Sequence, residues 1–398
     1  MGRSGVTASI GFTASGVPCG LKKNGNPDLA VIYSAVPATA AGIFTTNLVK
    51  GHSLQWSREH IQGGIARVIA INSGCANACV GEDGYRDAAA YAGLVAERAA
   101  CPVDQVMIGS TGVIGYRLDM EKISRGLDTA FHQLSPDGGM AAAIAVMTTD
   151  TYEKESEATF ALDGKTVHIG GFAKGSGMIH PNMATMISIL TTDMAISARL
   201  LDKALRTVAD RSYNRVSVDG DTSVCDKVLI LANGMSGNAL VTEEGTAYDS
   251  FVRALEHVAV TLAKMLARDG EGATKLLEFH VEHAPDQETA HTILQAVVKS
   301  PLVKTAFFGE DANWGRILTA AGYSGASFDP DRIDIRLGGL LVCENGTALC
   351  FDEQAALKIL KEHDILVTID LKSGLASDRM WTCDFSYDYV KINGSYRS

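Results

Sequence analysis

The chain has 398 residues, 46% of them hydrophobic, and a formal net charge of −11 at pH 7. That length can bury a large core, in two domains or in one large domain with an appendage. The 35 Lys and Arg residues are scattered among 46 Asp and Glu residues, so no basic surface for nucleic acid is expected. Because no secretory signal pattern and no run of about 18 apolar residues occurs, we expect neither secretion nor membrane insertion.

The cysteines and histidines do not indicate a metal site. The eight cysteines form neither a dense disulfide framework nor paired CxxC motifs, so we expect reduced thiols and a cytoplasmic protein. Cys75 and Cys79 could share a helix face, but strand alternation places His280 and His283 on opposite faces of a sheet. Four acidic residues at short spacing do not fit the 12-residue calcium loop and are attributed to turns, namely Asp219, Asp221, Glu310 and Asp311. We therefore expect no metal and no cofactor.

Alternating strands and helices are predicted along the chain. Apolar residues at helical spacing and a possible N-cap at Ser197 mark one helix, and a longer apolar stripe marks the next. In chain order the pattern predicts a strand at 67–72, a helix at 86–100, a strand after residue 185, a helix from 197, a strand at 227–231, a helix at 249–267, and strands at 276–281, 333–342, 365–369 and 387–392. This order favours a mixed α/β fold.

A domain boundary is predicted at residues 282–288, where Pro285 and several charges interrupt the pattern. We therefore divide the chain into a catalytic α/β domain at 1–284 and a smaller C-terminal α/β domain at 285–398. No internal repeat or low-complexity tract is found.

The segment 174–186, KGSGMIHPNMATM, is the most informative stretch of the sequence. Glycines give it conformational freedom, and it leads through Ala184 and Thr185 into an apolar strand. Thr185 could attack the carbonyl of Ala184, and hydrolysis of the resulting ester would leave Thr185 as a new N-terminus. Its own α-amine, with an ordinary pKa of about 7.7 to 8, would then serve as the base. The alternative is a tight surface turn that leads into a strand.

Many ordered motifs make the chain resemble the ornithine acetyltransferase family, which are self-processing enzymes of arginine biosynthesis. The resemblance covers nearly the whole chain. Its motifs are GVPCGLK at 16–22, INSGCANAC at 71–79, STGVIG at 110–115, MTTDT at 147–151, KGSGMIHPNMATM at 174–186, SVDGDTS at 217–223, RDGEGATK at 268–275, FGEDANWGRI at 308–317 and INGSYRS at 392–398. The chain departs from the family pattern at two places. Cys75 stands where the family commonly has asparagine, and residues 224–227 read VCDK where the family has a stretch like Thr-Asn-Asp-Thr.

The resemblance implies a layered αββα-type fold with a threonine nucleophile, Thr185, released by cleavage between Ala184 and Thr185. The Thr111 hydroxyl and the Gly112 N–H would meet the oxyanion of the transition state, although an ordinary Ser-Thr-Gly turn is the alternative. Lys174 suits a substrate carboxylate and Glu271 an ammonium group. The resemblance carries substrate binding to Thr148, Lys174, Thr185, Glu271, Asn393 and Ser398.

The implied reaction is acetyl transfer from N-acetylornithine to glutamate by double displacement, with acetyl-CoA as a further donor in some members of the family. The two chains from one precursor are expected to form an α2β2 heterotetramer. Two alternatives are open: an aminopeptidase or amidohydrolase that uses the same threonine, and a catalytically inactive binding homologue. Glutamate-independent release of ornithine would indicate the first alternative, and an uncut chain the second.

Overall fold

The computed structural model describes residues 2–180 and 186–395. Ala184, Thr185 and Ser398, three residues of the predicted site, lie outside these ranges. The chain forms two compact units, one of Met1–Asn214 with Asp221–Leu266 and the other of Arg215–Gly220 with Ala267–Ser398. Within the described ranges, no helix is long and apolar enough to cross a membrane.

The first unit contains eight strands and most of six helices among the residues described. They are β1 (Phe12–Val17), β2 (Leu29–Phe44), α1 (His52–His60), β3 (Ile65–Asn72), α2 (Glu82–Ala99), β4 (Val106–Ser110), α3 (Met120–His132), α4 (Gly139–Val146), β5 (Lys154–Leu162), β6 (Lys165–Lys174), β7 (Ile187–Thr192), α5 (Ala198–Arg211), β8 (Lys227–Ala232) and α6 (Thr246–Arg268).

The eight strands form one hydrogen-bonded sheet in the order β4-β3-β2-β8-β7-β6-β5, with β1 paired to β2. The long strand β2 joins the two halves: its first part pairs with β1 and β3, and its last part pairs with β8. β3–β4 and β7–β8 are parallel pairs, whereas the other pairs are antiparallel.

The two halves of this sheet share one interior. Side chains of β3 and β4, such as Ile71 and Met107, lie in the same buried cluster as Phe172, Ile189 and Leu229 from β6, β7 and β8. The outer face of β3 and β4 instead packs against α2 and α3. On the other half, α5 buries its apolar stripe and contacts β2 and β8. This is the layered α/β arrangement that the sequence predicts.

The second unit has a six-stranded sheet in the order β12-β11-β10-β13-β9-β14. Helices α7, α8 and α9 contribute side chains to a buried apolar core in this unit. Its elements are β9 (Leu276–Ala284), α7 (Gln287–Lys299), α8 (Pro301–Phe308), α9 (Trp314–Gly322), β10 (Asp334–Leu337), β11 (Leu340–Glu344), β12 (Thr347–Ala348), α10 (Glu353–Leu360), β13 (Asp364–Asp370), β14 (Ala376–Cys383) and α11 (Tyr387–Gly394).

Most predicted elements are confirmed, and two are wrong. The predicted strand at 333–342 is a hairpin of β10 and β11, because Gly338 and Gly339 both have positive φ and turn the chain. The predicted strand at 387–392 is helix α11, since the Ser386 side chain caps it by accepting from the Asp388 N–H. Ser197 occupies the N-cap of α5, but its side chain makes no capping hydrogen bond.

The structure divides the chain earlier than the sequence interpretation does. β9 precedes residue 285, yet it pairs in parallel with β13 and antiparallel with β14, so it belongs to the second sheet. The second unit accordingly begins at Ala267, and the charged stretch around Pro285 links β9 to α7 inside it. Residues 215–220 join this unit because Val216 bridges to Trp381.

Candidate active site

The predicted oxyanion donors, Thr111 and Gly112, lie in the turn that follows β4. The Thr111 N–H donates to the Asn72 carbonyl at 3.0 Å, and Cys75 forms β-bridges with Thr111 and Val113. Gly112 has φ +124°, and a Cβ at this position would lie 2.5 Å from the carbonyl carbon of Gly74. The turn therefore requires glycine and rests directly on the backbone of a neighbouring loop.

A buried hydrogen-bond network fixes that turn. The Ser110 hydroxyl donates to Asn72 Oδ1 at 2.7 Å, and Asn72 Nδ2 donates to the Cys75 carbonyl at 2.9 Å. Ser53 Oγ lies 2.7 Å from Ser110 Oγ, and all three polar side chains are buried. Because each partner is satisfied, the turn is preorganised rather than mobile. Sequence reasoning missed this support, although Asn72 and Ser110 stand inside the two motifs that it used.

Lys174 and Thr148, the predicted substrate contacts of the first unit, converge on a carboxylate that the sequence analysis did not select. Lys174 ends β6, and its Nζ lies 4.0 Å from Asp150 Oδ2. The same oxygen accepts from the Thr148 N–H at 3.0 Å. Burial raises the pKa of Asp150, but Lys174 and Lys154 outweigh that effect and hold this pKa well below its ordinary value. Asp150 is thus an anion among cations.

A further lysine, Lys22, belongs to this environment. Its Nζ donates to the Pro27 carbonyl at 2.8 Å, and its stem lies beside Gly74, the residue against which the oxyanion turn packs. Burial lowers the pKa of Lys22, with Asp150 opposing the shift and the positive charge of Lys174 adding to it. The motif GVPCGLK was the signal that could have identified this residue.

The second unit brings Glu271 and Asn393 together. Asn393 Nδ2 donates to Glu271 Oε2 at 2.7 Å, and the Glu271 side chain is largely buried. A Cβ on Gly272, which has φ +71°, would lie 2.6 Å from the backbone nitrogen of Tyr389 in α11. The Ser386 hydroxyl also donates to the Gly272 carbonyl. Helix α11 is therefore docked by backbone contact against the RDGEGATK motif.

The residues weighed as metal ligands make other contacts. Cys75 Sγ donates to the Tyr116 carbonyl at 3.3 Å, and His280 and His283 contact Glu278 and Asp370. Across residues 2–180 and 186–395, no group of three His, Cys, Asp or Glu side chains is placed to hold a metal ion.

The layered α/β unit holds the predicted oxyanion turn in a buried hydrogen-bond network and places Lys174 beside the buried Asp150 carboxylate, and the comparisons with known proteins define the class as an acyl-transferring enzyme. The ArgJ family model matches residues 13–398. The chain belongs to the ArgJ family. It is 50% identical to the arginine biosynthesis bifunctional protein ArgJ of Symbiobacterium thermophilum, over 99% of this chain and 98% of that protein.

One solved structure agrees with this assignment. The crystal structure of an arginine biosynthesis bifunctional protein ArgJ from Bacillus halodurans is 40% identical, with TM-score 0.51, and covers 53% of this chain and 98% of its own. Ornithine acetyltransferase of Mycobacterium tuberculosis, solved with ornithine, is 37% identical with TM-score 0.41, over 45% of this chain and 95% of its own. The predicted family and the predicted acyltransferase of arginine biosynthesis are confirmed.

Proposed function

We propose that this acyltransferase of arginine biosynthesis moves an acetyl group from N-acetylornithine to glutamate through an acetyl ester on Thr185. The observation that carries the proposal is the preformed turn at Thr111 and Gly112, fixed by Asn72 and by backbone contact with Gly74. Hydrogen-bond donors held in place before the reaction stabilise a developing oxyanion without reorganisation. The preformed turn favours an enzyme over the inactive binding homologue.

The nucleophile arises by self-cleavage. The Thr185 hydroxyl attacks the Ala184 carbonyl, the peptide nitrogen leaves as the free Thr185 amine, and water hydrolyses the resulting ester. The Bacillus halodurans chain supports this step, because it aligns over 98% of its own length with only 53% of this chain. Residues 185–398 would make up about 54% of the 398 residues, so a half-length solved chain fits a processed fragment.

In the first half-reaction the Thr185 oxygen attacks the acetyl carbonyl of N-acetylornithine, and the Thr185 amine accepts the hydroxyl proton. When the tetrahedral intermediate collapses, the carbon–nitrogen bond breaks and that proton passes to the departing ornithine amine. In the second half-reaction the glutamate amine attacks the acetyl ester. N-acetylglutamate leaves, and the Thr185 oxygen regains its proton.

Charged side chains would select the amino-acid substrates. Lys174 would bind the substrate carboxylate and Thr148 would add a hydroxyl contact, since a carboxylate that leaves water needs charge-assisted hydrogen bonds. Glu271, supported by Asn393, would bind the ammonium group of ornithine. Ser398 completes the proposed set but lies outside the described residues.

A second activity is proposed because the relatives are named bifunctional. Acetyl-CoA would acetylate the same threonine, so the enzyme would also form N-acetylglutamate without N-acetylornithine. We expect N-acetylglutamate from acetyl-CoA and glutamate, with free thiol released in equal amount. Absence of thiol release by an enzyme that is active with N-acetylornithine would restrict it to transfer between amino acids.

Assembly as an α2β2 heterotetramer is also part of the proposal. A cut after residue 184 would leave β1–β6 in one fragment and β7–β14 in the other, yet β2 pairs with β8 and β6 pairs with β7. These ladders and the shared core support two fragments that stay associated. A cytoplasmic location remains a prediction.

Steady-state kinetics test the transfer reaction. Double displacement predicts parallel double-reciprocal lines when N-acetylornithine is varied at several glutamate concentrations. Release of ornithine should require glutamate. Release at the same rate without glutamate would instead identify the hydrolase alternative.

A further inference from the structure

Asp150 lies in the loop between α4 and β5, and its side chain is fully buried. Both of its oxygens are occupied. Oδ1 accepts from the Gly175 N–H at 2.6 Å and from Lys154 Nζ at 2.8 Å. Oδ2 accepts from the Thr148 N–H at 3.0 Å and faces Lys174 Nζ at 4.0 Å. One carboxylate therefore contacts four groups from two segments of the chain.

Three of the residues that contact Asp150 have a place in the proposed reaction. Thr148 and Lys174 are the proposed substrate contacts of this unit. Gly175, with φ +149°, begins the glycine-rich approach to the proposed cleavage site. Because a buried carboxylate with several charge-assisted bonds has one favourable position, it fixes the relative placement of the groups around it.

Asp150 faces two lysine ammonium groups at different distances. Lys154 is also fully buried, and its ammonium is in direct contact with Asp150, so these two charges neutralise each other. Lys174 lies 4.0 Å from the same carboxylate, which is longer than a hydrogen bond. Asp150 thus forms a close ion pair with Lys154 and a longer one with Lys174, so the Lys174 ammonium is oriented without a direct hydrogen bond to this carboxylate. A substrate carboxylate would complete the set.

We propose that Asp150 is a positioning residue of the acetyl-transfer site. It holds Lys174 and the backbone of Thr148 for the carboxylate of the amino-acid substrate, and it touches neither the substrate nor the reacting atoms. This inference rests on the proposed function.

Asp150→Asn tests the inference, with Asp193→Asn as the matched control. Asp193 is equally buried in the same unit and accepts from His168 N–H and Nδ1 and from the Ile10 N–H, at the opposite end of β7 from residue 185. We expect Asp150→Asn to raise the KM for glutamate about 10- to 100-fold with kcat changed less than about threefold. The control should leave KM within about twofold of wild type. Equal KM changes in both variants would overturn the proposal.

A coupling measurement separates positioning from a general structural role. In a Lys174→Met background, Asp150→Asn should raise the glutamate KM less than about threefold, because the group that it positions is already absent. The same fold-change in both backgrounds would show that Asp150 does not act through Lys174. If the wild-type enzyme transferred no acetyl group, the proposed function would be contradicted as well. If wild type transfers acetyl but the variants behave alike, only this inference fails.

A charge-balanced variant keeps the test decisive if Asp150→Asn does not fold. Asp150→Asn combined with Lys154→Met removes both members of this buried ion pair together. This double variant should fold, produce both fragments and still show the raised KM for glutamate. A folded double variant with wild-type KM would overturn the proposal.

Discussion

At the scale of single residues, the candidate site is built from buried polar side chains and from glycines that pack against neighbouring backbone. The family resemblance led to Thr111, Gly112 and Lys174, and their roles stay predictions. Asp150 was not recognised in MTTDT. Its importance arises from burial and from contacts with Lys154 and Lys174, and the spacing of residues along the chain does not reveal burial.

The donor turn yields a prediction for Gly112→Ala. The new Cβ would lie 2.5 Å from the carbonyl carbon of Gly74 and 2.8 Å from the nitrogen of Cys75, so the backbone must shift. Displacing one oxyanion donor costs about 100- to 1,000-fold in kcat. We expect that loss with little change in KM, measured by steady-state acetyl transfer.

Gly115→Ala is the matched control for this prediction. Gly115 lies in the same loop with φ +91°, but a Cβ there would meet no atom within 4 Å. Both substitutions place a Cβ on a residue with positive φ and so cause similar backbone strain, whereas Gly112→Ala alone makes the backbone of the predicted oxyanion turn shift. Equal losses of kcat in the two variants would contradict the oxyanion role of Gly112.

At the scale of the elements, strands and helices with a single clear periodicity were predicted well, and those that depend on turn geometry were not. The stripe of α6 identified that helix at once. The 333–342 stretch looks continuous in apolar content, but its two central glycines fold it into a hairpin. Helix α11 has no buried residue, so no apolar stripe marks it. Substrate binding by Asn393 and Glu271 was inferred from the family resemblance, and the hydrogen bond between the two side chains was not predicted.

Helix α11 gives a prediction for the C-terminus. A chain shortened by residues 393–398 loses Asn393, whose Nδ2 contacts Glu271 at 2.7 Å. We expect loss of acetyl transfer with little change in the melting temperature, because α11 contributes no buried residue. Differential scanning calorimetry and the transfer assay measure both. Full activity of the shortened chain would contradict the assignment of Asn393 and Ser398.

Strand β8 carries a buried cation, Lys227, at the position that pairs with Ile187 of β7. Its Nζ donates to the Ile108 carbonyl at 3.0 Å, and burial lowers its pKa to about 8. Below about pH 8 the lysine is protonated in both the folded and the unfolded state, so the folded state bears the full free-energy cost of burying the charge. Between about pH 8 and 10.5 the unfolded chain binds more protons, so the free energy of unfolding rises with pH.

Lys227→Met should lack this rise. We expect the variant's stability relative to wild type to fall by about 3 kcal/mol between pH 8 and 10.5, because wild type gains stability over that range. Urea unfolding at both pH values measures the difference, and the comparison cancels other titrating groups. A constant difference between variant and wild type would mean that Lys227 keeps its ordinary pKa in the folded protein.

At the scale of the whole molecule, the sheet of the first unit explains how a cut chain stays together. Strands on both sides of the proposed cleavage site pair with each other, and residues such as Phe172 and Ile189 share one core. The layered fold followed from the sequence. The unit boundary at Ala267 did not, because it depends on β9 pairing with β13, whose partner residues lie 88 positions further along the chain.

This interlocked sheet predicts that the two fragments separate only on unfolding. Size-exclusion chromatography of freshly purified protein should give one species that contains both fragments, and denaturant should release them. Separation of the fragments in native buffer would contradict a sheet shared between them.

The most direct test of acetyl transfer through Thr185 is the intact mass of the enzyme, denatured rapidly after mixing with N-acetylornithine in the absence of glutamate. We predict two fragments, residues 1–184 and 185–398, with one acetyl group on the second fragment that disappears when glutamate is added. Thr185→Ala should give a single uncut chain without acetyl. An uncut wild-type chain, or a cut one that never carries the acetyl group on residues 185–398, would contradict the account.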